Sequence, residues 1–238
     1  MKTSLFAVLA VTSASLLSGC VVYANGSPKG SFWNDDDLNY EQRTLSLSGA
    51  GITELEADTS AGSLEIIGEA GRTDIEVIAD IYYHDAEDIE LSLEQHGDEA
   101  MLRADFANWN YSDSSPYINL TVRMPQSMML DVHDGSGSMT IRDIHADVEI
   151  EDGSGSMNVF DIVGNLQIDD GSGSLSVRDV QGNVNVDDGS GSLTIEQVSG
   201  MVTIDDGSGS VTVDTVGGLN IIDDGSGGVS TRNVGDAH

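Results

Sequence analysis

The chain has 238 residues, of which 41 are acidic and only nine basic, a formal charge of −32 at pH 7. A surface this negative excludes nucleic acid as a partner, because phosphate would be repelled at every approach. Cys20 is the single cysteine, which excludes an internal disulfide and a structural metal site built on thiolates.

At the N-terminus, Lys2 precedes an apolar run from Leu5 to Leu17, and Leu17-Ser18-Gly19-Cys20 closes it. A charged start, a short hydrophobic middle and small residues before a cleavage point make residues 1–19 an export signal. The run is too short to cross a bilayer stably as a helix. Leu17-Ser18-Gly19-Cys20 closely resembles the lipobox of bacterial lipoproteins. That resemblance implies a diacylglyceryl group on Cys20, cleavage before it and acylation of the new N-terminus, so that the protein meets a membrane through its N-terminal lipid. Several acyl chains anchor stably where one does not. In diderm lipoproteins an aspartate directly after the cysteine signals retention in the inner membrane; Val21 stands there, so the outer membrane is expected. Losing Lys2 with the signal leaves eight basic residues against 41 acidic ones, a formal charge of −33.

Residues 20–44 read as an acylated, polar tether, with Asn25-Gly26-Ser27-Pro28 and the run Asp35-Asp36-Asp37. Phe32, Trp33 and Tyr40 are its exceptions and suit docking on the domain or at a membrane interface. Strand alternation then begins, at residues 74–81, 89–93 and 118–124, with no helical pattern. Ala61-Gly62-Ser63-Leu64-Glu65-Ile66 echoes Ser190-Gly191-Ser192-Leu193-Thr194-Ile195 further on. Residues 45–132 are therefore expected to be an irregular all-β start of the same fold, with a long insertion, in one continuous domain.

Residues 133–238 form the regular part. Gly-Ser-Gly follows an acidic residue at Gly135, Gly153, Gly171, Gly189, Gly207 and Gly225, a spacing of 18 residues. A fixed period near 20 marks a solenoid, whose units bury their apolar side only by stacking. Inside one unit the aliphatics fall at Leu193, Ile195, Val198, Val202 and Ile204, two short alternating runs per coil. Each coil reads strand, corner, strand, wide turn, with the corner at Gly164, Gly182, Gly200 and Gly218 and the turn at Asp-Gly-Ser-Gly-Ser. A left-handed hexapeptide helix would repeat its aliphatics every six residues. The expected fold is an all-β, parallel β-solenoid with 18-residue coils, right-handed by the usual hand of parallel crossovers. Its core columns are Met139/Met157/Leu175/Leu193/Val211/Val229 and Ile144/Ile162/Val180/Val198/Val216/Val234. Around Leu219, Asn220 and Ile221 polar and apolar positions are exchanged, which predicts a bulge or a loosened last coil. No amphipathic segment covers that coil near Val234, so its open edge is available for self-association.

The Gly-Ser-Leu-Glu-Ile-Ile run at residues 62–67, the proline-ended strand at 118–125 and the serial Asp-Gly-Ser-Gly-Ser units resemble the bacterial putative-adhesin domain family. The resemblance spans about residues 45–234. It implies a β-solenoid at the cell surface and brings no catalytic residues.

The function expected from these features is a binding, adhesion or structural module of the cell envelope, with an envelope protein or a polysaccharide as partner. A polysaccharide-acting β-helix enzyme is the alternative. Such chemistry needs carboxylates made unequal by their surroundings. Repetition makes these alike, the five histidines (His84, His96, His133, His145 and His238) share no ligand spacing, and each Gly-Ser-Gly is turn chemistry. Stacking places Asp169, Asp187, Asp205 and Asp223 in one column and Asp134, Asp152, Asp170, Asp188, Asp206 and Asp224 in a second. Two readings stand for how the repulsion is offset. Each aspartate caps its own turn, with the outer column facing water; or Ca²⁺ lies between coils, taking carboxylate and turn carbonyl oxygens. Since His133 and Glu151 replace aspartate in the first two coils, calcium would concentrate from Asp169 onward.

Overall fold

The computed structural model describes residues 22–24, 38–108 and 114–235, most of them in strands. Six turns repeat at the 18-residue spacing. They are built from β8 (Met129–Ile144), β9 (Val148–Asp152), β10 (Gly155–Val163), β11 (Leu166–Asp170), β12 (Gly173–Gln181), β13 (Val184–Asp188), β14 (Gly191–Asp206), β15 (Ser208–Asp223) and β16 (Ser226–Val234). Every neighbouring pair among them is parallel, and all but the stretch of β14 from Met201 to Ile204 on β15 keep the register of the repeat: Met157 faces Leu175 and Leu175 faces Leu193, while Ile168 faces Val186 and Val186 faces Ile204. The first run of each coil makes one ladder and the second run makes another. Their inward aliphatics form one core, in which Val159, Val177, Ile195 and Val213 are wholly buried.

Between the last two inward residues of a first run, such as Ile195 and Val198, the spacing is three. Simple alternation would put one of them outside. The structure resolves this with one residue per coil in the left-handed region, at Asp143, Asp161, Asp179, Gln197, Thr215 and Asn233, with φ from 50 to 62°. That residue turns the strand and brings the next aliphatic back to the core.

The second glycine of each turn is fixed by stacking. Gly173 has φ +146°, and a Cβ there would stand 1.8 Å from the carbonyl oxygen of Gly155 in the coil before. The corner column is Gly164, Gly182 and Gly200, continued by Gly217 and not by Gly218. The register explains this: Val198 faces Val216 but Met201 faces Gly218, one residue fewer at the corner, and the extra residue is returned as a bulge before Asp223. The expected irregularity is therefore present, and the bulged Ile222 is 64 % exposed.

The earlier strands complete and close one end. β3 (Glu54–Glu69) is a whole coil, with Gly62 facing Gly137 and Leu64 facing Met139. On its other side lie β6 (Glu99–Phe106) and β7 (Tyr117–Pro125), both parallel to it. The coil order thus departs from chain order, since β3 is inserted between β7 and β8. Outside these, β5 (Ile89–His96), β4 (Asp74–Tyr83) and β2 (Asn39–Ser48) pair antiparallel, and β1 (Val22–Ala24) pairs with β2. These outer strands are a cap of hairpin type, not diverged coils, and β2 begins inside the segment expected to be tether. Tyr40 is the anchor: its ring lies 5.1 Å from that of Tyr82, which stacks at 4.5 Å on Tyr117. Its hydroxyl donates to Asp80 at 2.7 Å, and that bond pushes its pKa up to about 12. At the opposite end β16 pairs only with β15 among the described residues, and Val229 and Val234 stand 37 % and 38 % exposed.

Candidate functional site

Adjacent residues on a strand point to opposite faces, so each Asp-Asp pair is divided between inside and outside. Asp170 is in phase with Leu166 and Ile168 and faces the core; Asp169 faces solvent. The eight predicted metal-binding aspartates therefore do not gather into shared sites. Asp170, Asp188 and Asp206 go inward, Asp169, Asp187 and Asp205 go outward, and Asp223 and Asp224 are exposed on the last coil. Among the described residues no group of three or more His, Cys, Asp or Glu side chains is placed to hold a metal ion. Cys20, the predicted lipidation site, lies outside the described residues.

The inner column is unusual for its burial. Asp152, Asp170, Asp188 and Asp206 are only 6, 2, 1 and 1 % exposed. They stand directly opposite one another across neighbouring coils, Asp134 to Asp152 to Asp170 to Asp188 to Asp206. Each turn caps its own carboxylate as expected: the backbone N–H of Ser154 donates to Asp152 at 3.3 Å and that of Ser172 to Asp170 at 3.1 Å. At the closed end Thr59 Oγ1 donates to Asp134 at 2.5 Å. Toward the open end the capping is incomplete. Asp188 Oδ1 is buried without a hydrogen-bond partner, and neither buried carboxylate oxygen of Asp206 makes a well-formed hydrogen bond. Two full charges one strand spacing apart, about 4.8 Å, would repel by roughly 3 to 4 kcal/mol at an effective dielectric near 20. Burial first, and the neighbouring carboxylates second, raise the pKa of Asp152, Asp170 and Asp188, the last to about 6. Burial also raises Asp134 and Asp206.

Among the described residues the outer column meets side-chain partners other than carboxylates only at its start. Arg103 bonds Asp58 at 3.0 Å, and His133 Nδ1 lies 3.1 Å from Glu151. From Asp169 onward the column repeats aspartate on aspartate. Repetition thus makes the coils alike while alternation makes the two columns unlike, the outer one facing water as the turn-capping expectation had it.

A groove of about 650 Å³ runs along the same ladder, crossing the coils from Glu54 and Met129 to Met201 and Thr203. Its middle is lined by amides, Asn165, Gln167, Asn183 and Asn185. Two of these are built into a ladder. Asp147 Oδ1 accepts from the backbone N–H of Asn165 at 2.7 Å, Asn165 Oδ1 from that of Asn183 at 3.2 Å, and Asn183 Oδ1 from that of Met201 at 2.9 Å. Each side chain satisfies the next coil's corner N–H, which no strand pairing reaches. The signal for it was the recurrence of Asp147, Asn165 and Asn183 at the repeat spacing, one residue after the corner.

No protein-family model matches this chain, and no curated protein does. Among solved structures, the chain is similar to a putative cell adhesion protein from Clostridium sporogenes, with 12 % identity over 82 % of this chain and 99 % of that one and a TM-score of 0.42. It is also similar to a putative adhesin from Bacteroides fragilis, at 15 % identity over 80 % and 96 % of the two chains and a TM-score of 0.38. A putative lipid binding protein from Parabacteroides distasonis gives 14 % identity over 83 % and 97 %, with a TM-score of 0.38.

Proposed function

We propose that this protein is a lipid-anchored β-solenoid of the bacterial outer membrane that binds an uncharged, hydroxyl-rich polymer along its amide-lined groove. The observation that carries this reading is the groove itself, in which successive coils present Gln167, Asn185 and Thr203 in register. An amide both donates and accepts hydrogen bonds, as a sugar hydroxyl does, so a row of amides suits a polysaccharide laid along the axis. Glu54, Asp147 and Glu149 at one end of the groove select against polyanions. The lipobox-like segment supplies the anchor and, with Val21 after Cys20, the outer-membrane location. The outer aspartate column draws divalent cations such as Ca²⁺ as a counterion layer, without a coordination site, and these can bridge the domain to anionic surroundings.

Catalysis is the weaker reading. Of the carboxylates with raised pKa, which an acid catalyst needs, Asp152, Asp170, Asp188 and Asp206 lie in the interior, where no sugar reaches them, and Glu54, raised by burial and then by Asp131, is the one that lines the groove. Binding of neutral envelope polysaccharides to the purified domain, measured by calorimetry, tests the proposal. Gln167→Ala combined with Asn185→Ala removes two outward amides and leaves the core untouched, so binding is expected to weaken by about tenfold, roughly 1.4 kcal/mol. Affinity unchanged in that variant would place the partner elsewhere.

A further inference from the structure

We propose that neighbouring aspartates of the interior column share protons, one carboxyl donating to the next carboxylate, so that the coils are tight in mildly acid surroundings and loosen as the column ionises. Three features carry this. The column is in register from Asp134 to Asp206, and Asp152, Asp170, Asp188 and Asp206 are buried, so these four meet one another and not solvent. Asp188 Oδ1 is buried without a partner, and the buried oxygens of Asp206 make no well-formed hydrogen bond although the Ser208 backbone N–H acts on them, a costly arrangement for buried polar atoms. No cation is at hand, because the charged groups acting on Asp188 are Asp170, Asp206 and Asp187, and those acting on Asp206 are Asp224 and Asp223, all acidic.

A proton on one member of a pair answers all three. It removes one of two repelling charges and supplies the missing donor, forming a short O–H···O⁻ bond of about 2.5 to 2.7 Å. Strands about 4.8 Å apart bring carboxyl groups within that reach when both side chains point along the column. Thr59 already plays the donor for Asp134, so the need for protons lies toward the open end. When hydroxide removes the shared proton and becomes water, both carboxylates are left charged and the bond is lost. Coils near β16 would part first, since only one neighbour holds that strand.

The direction of the pH dependence follows from the raised pKa of the folded column. An unfolded aspartate titrates near 4, whereas folded Asp188 titrates at about 6. The folded state therefore binds the extra protons, its stabilisation is complete below the unfolded value, and it is lost as pH rises through the folded one. Asp214, held down to about 2 by its bonds with Arg232, does not titrate in that window.

Thermal melting at about pH 5 and about pH 8, in chelator and in millimolar calcium, tests the proposal. In chelator the wild type is expected to melt about 5 °C lower at the higher pH. Asp188→Asn with Asp206→Asn should abolish that difference, because the amide keeps an acceptor for the turn and its N–H stands in for the shared proton. Asp187→Asn with Asp205→Asn removes the same formal charge from the outer column and should retain it. Infrared spectra give a second reading that needs no variant to fold: the protonated carboxyl band should be present in the wild type at the lower pH and disappear at the higher, and Asp188→Asn alone should weaken it. Equal pH dependence in inner and outer variants, or no protonated carboxyl band, would overturn the proposal. Restoration of the wild-type melting temperature at the higher pH by calcium would overturn it in favour of a cation held inside the column.

Discussion

A missing side chain decides most at the turns. Gly173 and Gly97 both have positive φ, yet they differ in what surrounds them. At Gly173 a Cβ would meet the Gly155 carbonyl oxygen at 1.8 Å, whereas nothing lies within 4 Å of one at Gly97. Gly97→Ala is expected to cost about 1 kcal/mol, the backbone strain alone. Gly173→Ala must push two coils apart and is expected to cost more than about 4 kcal/mol, the range reserved for disrupted cores. Chemical denaturation of the two variants checks this, and similar losses would mean that the coils are not packed backbone on backbone. The glycine column was legible because glycine alone fits such an approach. The inward aspartates were legible in phase, two residues from Ile168 and four from Leu166, but an aspartate reads as exposed until a structure places its neighbours. The left-handed residue before each Ile162-type position was hidden, since aspartate, glutamine, threonine and asparagine all occupy it.

At the scale of the coil, each unit contacts only the ones before and after it, so stability is a sum of similar steps. Deleting residues 171–188 joins Asp170 to Gly189 and leaves every remaining pair in the register already seen between coils. That variant is expected to keep its β-type circular dichroism and to lose stability modestly. Val198→Asp, by contrast, buries an unpaired charge where the side chain is 2 % exposed, and should unfold the neighbouring coils. A deletion that unfolds while Val198→Asp survives would make 18 residues the wrong unit. The repeat was readable because its period is strict and its alternation clean. The cap was not, for β2, β4 and β5 carry the same alternation as the coils, and alternation is blind to whether the partner strand runs parallel or antiparallel. The insertion of β3 between β7 and β8 was equally hidden, because the echo of residues 61–66 in 190–195 gives likeness and not position. At the other end β16 carries one charged residue, Arg232, which is bonded to Asp214, and it offers a second copy a bare edge with Val229 and Val234 alongside.

For the whole molecule, charge and anchor act against each other. With 41 acidic residues and a formal −33 after loss of the signal, the folded domain is repelled by anionic headgroups over about a Debye length, roughly 8 Å in physiological salt. Its basic residues do little to offset this, because Arg72, Arg103, Arg123 and Arg142 are each engaged with carboxylates near the capped end. Nothing in the folded part would therefore keep the protein on a membrane, and no helix among the described residues is long and apolar enough to cross one. Lipid on Cys20, which the lipobox-like Leu17-Ser18-Gly19-Cys20 implies, is the anchor we propose. Each buried methylene of an acyl chain contributes about 0.8 kcal/mol, and more than one chain is needed to outweigh such repulsion for long. Cys20→Ala is accordingly expected to move the protein from the membrane fraction to the soluble one, or to leave it as uncleaved precursor, with the fold of the domain unchanged by circular dichroism. Mass spectrometry of the wild-type N-terminal peptide should find the acyl groups on Cys20. A mature N-terminus without acyl mass, on a protein that still sediments with membranes, would mean that the repelled domain is held there by a partner.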